Sequence, residues 1–484
     1  MKIGIFGASG SVGGQVLDVI AQNRDKFEAA FLSAHSDADG LIKKAAEFRP
    51  SHIALTDDAY LKSAEKRAEF EKKVLEIGGG GYNPVVLYGS GYFREIFKDG
   101  KNPLSLDLAV VAVTGSHGLL PSYFAVESGV PLAVANKETL VSGGEIIMRG
   151  AALRGVSVIP VDSEHSAISE CLAGNDRGEV RRLILTASGG AFRDYSLERL
   201  KTASAADALK HPTWRMGKKV TVDSATMMNK GLEIIEAMRL FGLPESKIDV
   251  AVHPESVVHS LVEFFDNTVM AMMSVPDMRI PISRALGVAY AENMRKNRRA
   301  ELQRNGEKTV ENCGSEFQKS GEKTIGNGGI DPRKTCGAGL ENGEAECRKS
   351  AEKAAGNGGI EPREIDGVNR PENRAFGMRI KNSASALDLI KMSSLTFLPP
   401  DLTRFPCLKI ARDAAAADGI MPAVLNAANE CAAEDFLNGR IRFTDIAPRI
   451  SAVLERTENL SPGSIEDVLE AEKEAKRRYF ERLV

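Results

Sequence analysis

The sequence predicts an α/β chain in three parts: an N-terminal parallel sheet of βαβ units, a central α+β part and a C-terminal helical part. Three observations carry that reading. Short apolar runs alternate with helix-like stretches through residue 150, strands are separated by longer polar segments from Val156, and helical spacing dominates beyond Asn382. Alternating strand and helix signals imply a parallel sheet, because a parallel pair needs a long crossover that is usually a helix.

In chain order the alternation runs through Ile3–Phe6, Val16–Ile20, Ala29–Leu32, Leu41–Ala46, His52–Leu55, Leu108–Val113 and Leu132–Ala135. The central part shows strands at Val156–Val161, Arg182–Ala187, Ile248–His253 and Thr268–Ser274, with a helix over Gly231–Leu240. Past Asn382, Ala386–Ile390, Cys407–Ala417, Ala423–Phe436 and Ile465–Leu483 read as helices, punctuated by Pro399-Pro400 and Pro422. The expected domains are 1–150, 151–294 and 383–484, with an insertion at 295–382.

That insertion has a composition of its own. Its 88 residues hold 14 of the 45 glycines, no Tyr or Trp, and many interspersed charges. Such a stretch buries too little apolar surface to offset the entropy of ordering it. It also repeats: Gly306-Glu-Lys-Thr returns at Gly321, and Ser320–Lys334 resembles Ser350–Glu364. Without an apolar position in each unit to stack, a repeat-expanded linker is expected rather than a solenoid.

With 63 Lys+Arg against 66 Asp+Glu, the net charge of −3 excludes a strongly basic nucleic-acid binder. No apolar run approaches the roughly 20 residues of a membrane span, and no targeting peptide is expected ahead of the first strand. Six cysteines without paired spacing indicate neither a disulfide scaffold nor a zinc site, so a reducing cytoplasm is the expected compartment.

The first strand leads into Gly7-Ala8-Ser9-Gly10-Ser11-Val12-Gly13 and a helix over Gly14–Gln22. Glycines so placed permit a tight turn and bring backbone N–H groups and a helix N-terminus against a pyrophosphate, the mark of a Rossmann-type dinucleotide-binding domain. After the second strand, Ser33-Ala-His-Ser36 offers no carboxylate for ribose hydroxyls, which favours NADP, although Asp37 is close.

Asp162-Ser-Glu-His165 follows a predicted strand, so Asp162 and Glu164, two apart, would point the same way; capping of the next helix is the alternative. A second dense segment, Val222–Glu233, adds hydroxyls, an amide, an ammonium and a carboxylate. Asp162, Glu164 and Glu233 form a hard oxygen set suited to Mg²⁺ or Mn²⁺. Ser188, Ser224, Asn229 and Lys230 are of the kinds that typically hold a phosphate, although each alone more often stands in a turn or on a solvated surface. Trp214, the sole tryptophan, lies in His211-Pro-Thr-Trp-Arg-Met-Gly217, a segment suited to a closing lid. For His165 and His253 a structural, hydrogen-bonded role is expected.

These segments, together with Ala135–Val141, Pro160–Ile168, Ala187–Arg193, His253–His259, Pro276–Arg279 and Leu425–Glu430, closely resemble the 1-deoxy-D-xylulose 5-phosphate reductoisomerase family. The resemblance spans the chain except for Arg295–Asn382. It implies that NADPH and a divalent metal (Mg²⁺ or Mn²⁺, with Co²⁺ a further candidate) serve to rearrange and reduce 1-deoxy-D-xylulose 5-phosphate. The product would be 2-C-methyl-D-erythritol 4-phosphate, on the non-mevalonate route to isoprenoid precursors. Carried over by motif, Asp162, Glu164 and Glu233 would hold the metal, with Lys230 and His211 also in the catalytic set. Ser163, Glu164, Ser188, His211, Ser224, Asn229, Lys230 and Glu233 would contact substrate, and Trp214 and Met216 would belong to the flap. His259 would support the site. Gly7 to Gly13, Ser36, Asn136, Lys137, Glu138 and Gly217 would meet the cofactor. A homodimer is implied, with no membrane or nucleic-acid partner. His35-Ser-Asp37 departs from the family's Gly, basic or polar residue, Asn. Another NADP- and metal-dependent dehydrogenase or decarboxylase, or an NADP-binding regulator, are the alternative readings.

Overall fold

A computed structural model describes residues 1–214, 216–321, 380–392 and 394–481, with side chains from 304 to 321 and at 78 left aside. It falls into two compact units, Met1–Asn293 with Asn373–Val484, and Met294–Glu372. Everything below concerns the first. The helix Arg279–Gly321 runs through the start of the expected linker and includes the first repeat copy at Gly306; the other repeats lie almost wholly outside the described residues.

Seven parallel strands form the first sheet: β1 (Lys2–Phe6), β2 (Glu28–Ala34), β3 (His52–Leu55), β4 (Val85–Tyr88), β5 (Leu108–Val111), β6 (Leu132–Val134) and β7 (Val158–Pro160). Their order is β4-β3-β2-β1-β5-β6-β7, so the chain reverses direction across the sheet between β1 and β5. At that switch point the crossovers diverge, which leaves a crevice beyond the carboxyl ends of the strands. Both faces are covered, and Ile3, Ile5, Phe6, Leu108 and Val111 are wholly buried. Runs of apolar residues rather than alternation follow from that double burial.

One strand changes sides relative to the sequence reading. Val156–Val161 was expected to open the central domain, yet β7 pairs in parallel with β6, Leu132 opposite Val158, as the last strand of the first sheet. Pairing depends on neighbours distant in sequence, which a change of loop composition does not report. β4, a four-residue edge strand, is not among the expected strands, although its Val-Val-Leu-Tyr run carries strand-type residues.

The second sheet has β8 (Val180–Ala187), β9 (Ile248–Val252), β10 (Val258–Phe264) and β11 (Val269–Met273) in the order β11-β10-β8-β9. Only β8 and β9 run parallel. At Gly231 the helix Met228–Phe241 approaches the helix Cys407–Ala417 so closely that a Cβ would lie 2.3 Å from that of Ala411. The C-terminal helices Cys407–Ala417, Met421–Leu437, Ile446–Leu454 and Ile465–Glu481 pack through small side chains, among them Ala423, Ala427, Ala428 and Ala432.

The helix expected at Ala386–Ile390 is absent. A single 3₁₀ turn, Leu389–Lys391, stands there, with the Asp388 carboxylate accepting from the Ile390 N–H. Five residues are too few to sustain a helix without a packed face, and Ile390 is 95% exposed.

Candidate active site

At the switch point β1 turns sharply into the helix Ser11–Ala21. Gly7 adopts φ +94°, and a Cβ there would lie 2.7 Å from the Ala112 carbonyl oxygen. A Cβ on Gly13 would sit 2.1 Å from the Gly7 carbonyl oxygen, so both positions require glycine for close backbone approach. The Ala8 N–H donates to the Ser33 carbonyl (2.7 Å) and the Gly7 N–H to the Ser33 hydroxyl (3.0 Å), which fixes the loop against β2. Gly7, Ser9, Gly10, Ser11 and Val12 line the cleft, whereas Ala8 and Gly13 support it from behind.

Two expected cofactor contacts are placed differently. Ser36 is exposed and not among the cleft-lining residues. Asn136 is buried, caps the helix Lys137–Arg154 through the Thr139 N–H, and donates to the carbonyls of Val113 and Gly115 at 2.9 Å each. It shapes the loop rather than lining the cleft. Asp37 is likewise engaged as a helix cap, its Oδ1 2.9 Å from the Gly40 N–H, while His35 reaches into the cleft with Nδ1 3.1 Å from the Thr56 hydroxyl.

The cleft has a volume of about 1260 Å³ and continues from the glycine loop to the carboxylates without interruption. β7 stops at Pro160, Asp162 takes the N-cap position of the helix Ser163–Leu172, and Glu164 falls in its first turn. The capping alternative is therefore the local geometry. Asp162 makes no side-chain cap bond, however, and its carboxylate turns to Lys137 at 2.8 Å. Convergence comes from the helix start, not from a shared strand face.

One oxygen each from Asp162, Glu164 and Glu233 lies within 4.8 Å of the other two. An all-oxygen carboxylate set of this kind fits a hard divalent cation. Ammonium groups hold the set together: Lys230 sits 2.8 Å from Glu164 and also bonds Glu233, and Lys137 is 3.0 Å from Glu233 and 2.8 Å from the side-chain Oδ1 of Asn229. Asn229 donates to Glu233 at 2.6 Å, and Ser163 to Glu164 at 2.6 Å. Lys137 is thus a member of the carboxylate cluster and at the same time lines the cleft. The helix Lys137–Arg154 begins at the end of β6, beside β7, so its first ammonium points at the residues that follow β7.

Charge follows geometry here. Burial raises the Glu164 carboxyl, neighbouring Glu233 adds to that, and together they push it up to about 8 against the pull of Lys230. Burial acts the same way on Asp162, but Lys137 and His165 outweigh it and hold that carboxyl far below the usual range. Burial disfavours the charged form of Lys137, yet Asp162 and Glu233 reverse the effect and keep it protonated.

Next to the carboxylates, Ser188, Ser224 and His211 form a triangle: His211 Nε2 is 3.0 Å from the Ser188 hydroxyl and 3.2 Å from that of Ser224. Its Nδ1 accepts the N–H groups of Thr213 and Trp214 at 3.2 and 2.9 Å, which leaves Nε2 as the donor of the neutral ring. Burial, with Arg193 adding, lowers His211 to about 4, so the ring is neutral at pH 7. Trp214 meets His259 edge-on at 6.2 Å, and His259 Nε2 bonds the Ser274 carbonyl. His165 bonds the Glu233 carbonyl at 2.9 Å and faces Glu236, and His253 bonds that of Thr396 at 2.8 Å. Trp214, Met216 and Gly217 all line the cleft. Sequence reasoning missed Glu236, buried behind Asp162 and pushed up to about 8 by burial, because a lone Glu in a helix looks like any solvated one.

A dinucleotide-binding sheet whose crevice runs into a carboxylate cluster and a hydroxyl–imidazole pocket defines a nicotinamide-dinucleotide-dependent oxidoreductase. Residues 3–144 match the family model described as 1-deoxy-D-xylulose 5-phosphate reductoisomerase, and 158–241 and 370–478 match its two C-terminal domain models. The chain belongs to the 1-deoxy-D-xylulose 5-phosphate reductoisomerase family. A relative of that name from Geobacillus sp. is 38% identical over 483 residues, 100% of this chain and 99% of the relative. One from Crocosphaera subtropica is 36% identical over 98% of this chain and 94% of its own length. Among solved structures, the reductoisomerase from Zymomonas mobilis in complex with NADPH is 29% identical, with a TM-score of 0.72 over 99% of this chain and 97% of that one. A DOX-P reductoisomerase in complex with NADPH, fosmidomycin and magnesium is 31% identical, with a TM-score of 0.75 over the same shares.

Proposed function

We propose that this chain converts 1-deoxy-D-xylulose 5-phosphate into 2-C-methyl-D-erythritol 4-phosphate with NADPH and a divalent metal, for the supply of isoprenoid precursors. The convergence of Asp162, Glu164 and Glu233 at one end of a cleft whose other end is the glycine loop carries this reading.

Asp162, Glu164 and Glu233 would hold the metal, and the donor set suits Mn²⁺ and Co²⁺ as it does Mg²⁺. When bound, such a cation polarises ketone and hydroxyl oxygens of the substrate, and NADPH supplies the hydride. Ser188, Ser224 and the Nε2–H of His211 present three donors to a phosphate, with Asn229 and Lys230 beside them. A neutral His211 donates through Nε2 without exchanging its proton near pH 7. Ser163, whose hydroxyl is bonded to Glu164, is placed to contact a substrate hydroxyl. Lys137 and Lys230 hold the three carboxyl groups close together before any ligand arrives, and Lys137 keeps that of Asp162 ionised. The His211–Gly217 segment would close over the sugar phosphate and exclude water, so that the hydride passes within a dry site. The glycine loop receives the pyrophosphate on backbone N–H groups and the N-terminus of the helix Ser11–Ala21.

A homodimer in the cytoplasm is part of the same reading, supported by the family resemblance; no helix among the described residues is long and apolar enough to cross a membrane. The test is NADPH oxidation by the purified chain with 1-deoxy-D-xylulose 5-phosphate, before and after chelation and after Mg²⁺ is restored. Metal-dependent oxidation with a branched polyol phosphate as product is expected. Oxidation that survives chelation, or a product with an unrearranged skeleton, refutes the reading.

A further inference from the structure

The Leu425–Glu430 motif takes no part in the chemistry above, and none of its residues lines the cleft. It lies on the buried helix Met421–Leu437, and its polar side chains reach both walls of the cleft from behind.

Asn429, 1% exposed, donates Nδ2 to Asp223 Oδ1 at 2.8 Å. The other oxygen of Asp223 receives Lys219 Nζ at 3.0 Å, and the same ammonium lies 2.6 Å from Glu138. Asp223 directly precedes Ser224, Lys219 stands two residues past Gly217 at the end of the flap, and Glu138 follows Lys137. Asn429 holds the Asp223 end of this chain of contacts, next to Ser224, while Glu138 at its far end lines the cleft and belongs to the set expected to meet the cofactor.

Glu430, the next residue, serves the other end. Its Oε1 accepts the Ser116 N–H at 2.9 Å and the Ser116 hydroxyl at 3.1 Å, and its Oε2 receives Lys476 at 2.9 Å. Ser116 lies between Thr114 and His117, both of which line the dinucleotide end, where the His117 ring stacks 6.3 Å from that of His35. Asn426 Nδ2 lies 3.4 Å from the hydroxyls of both Ser116 and Ser142.

Buried carboxylates are costly unless fully paired, so each network admits few arrangements, and two networks anchored on consecutive residues of one rigid helix share a frame. We propose that Asn429 and Glu430 are positioning residues that divide the cleft between them: Asn429, through Asp223 and Lys219, orients Ser224 and the root of the flap, and Glu430, through Ser116, orients the loop that meets the dinucleotide. This rests on the assignment of the two ends under Proposed function.

The experiment compares Asn429→Ala, Glu430→Ala and the conservative Glu430→Gln in the full chain. It measures the sugar-phosphate KM at saturating NADPH, the NADPH Kd, the emission of the sole tryptophan, Trp214, as inorganic phosphate is added, and thermal unfolding. Asn429→Ala is expected to raise the sugar-phosphate KM by about tenfold, the factor carried by one buried hydrogen bond, and to change the Trp214 response, with the NADPH Kd within about twofold. Glu430→Ala is expected to weaken NADPH by about tenfold and leave the phosphate response alone, and Glu430→Gln, which keeps an acceptor for Ser116, to restore most of that loss. Equal shifts of both constants in each variant, crossed shifts, or no shift in either overturn the proposal. Should Asn429→Ala not fold, Asn429→Ser, smaller and still a donor, replaces it. Wild-type turnover reads the proposed function separately: its failure would leave the phosphate and NADPH measurements still able to judge the positioning.

Discussion

Replacing Glu233 by Gln removes one charge from the most connected group in the site. Glu233 is 1% exposed and meets Lys137, Asn229 and Lys230, so its carboxylate shares both ammoniums with Asp162 and Glu164. Gln is nearly isosteric and keeps one acceptor, but it removes the carboxylate that both buried ammoniums share and one negative charge from the set that would meet an incoming dication. Breaking one partner out of a buried ion pair costs about 3–5 kcal/mol, and the metal feels the same missing charge. At about 1.4 kcal/mol per decade, Mg²⁺ affinity should fall by roughly two to three and a half decades. Two assays read this directly. In wild type, Mg²⁺ at a hundred times its Kd should raise unfolding stability by about 2.7 kcal/mol, visible as a thermal shift that saturates with metal. In Glu233→Gln that shift should vanish over the same range, and NADPH oxidation should fall with it, while NADPH binding stays intact. A folded variant with a Mg²⁺ midpoint within about threefold of wild type would refute the reasoning, because a loss of even 3 kcal/mol implies about a hundredfold.

Lys137→Met tests whether Lys137 serves the carboxylates or the cofactor: sugar-phosphate turnover should drop at least about tenfold while the NADPH Kd changes by less than about twofold, and the reverse pattern would assign Lys137 to the cofactor. Gly13→Ala places a Cβ against the Gly7 carbonyl oxygen at 2.1 Å, so it should destabilise the chain by about 1–3 kcal/mol and abolish NADPH binding, as urea unfolding and fluorescence titration will show. For His211, the folded pKa of about 4 lies below the unfolded value of about 6.5, so the unfolded state takes up the proton first as pH falls, and stability present above pH 6.5 is lost down to pH 4. Wild type should therefore lose more stability between pH 7 and pH 5 than His211→Asn does, and equal losses in urea midpoints would contradict this.

Much of the chain was legible because its signals are local. A strand, three glycines and a helix at the N-terminus are a backbone requirement written in consecutive residues, and the structure shows why at Gly7 and Gly13. The hydroxyl, amide and carboxylate content of Val222–Glu233 announced a binding segment in the same way, and Ser188, His211, Ser224, Asn229, Lys230 and Glu233 are brought together. The helical periodicity of Cys407–Ala417 and Ile465–Glu481 also needed no partner to be read.

What stayed hidden depends on partners far away in sequence. Val158–Pro160 looked like the start of a new domain until β6 proved to be its neighbour. Ala386–Ile390 had helical spacing but no face to bury. Lys137 stood in a cofactor motif, and only the meeting of β6, β7 and the helix Met228–Phe241 turned its ammonium onto Asp162 and Glu233. Glu236 and the Asn429–Glu430 pair gained a role only once burial removed the water that would otherwise satisfy them. The sequence by itself determined the class of fold, the chemical inventory of the site and the family. Tertiary structure decided which charges share a buried space, because that depends on electrostatics between elements that the chain order keeps apart.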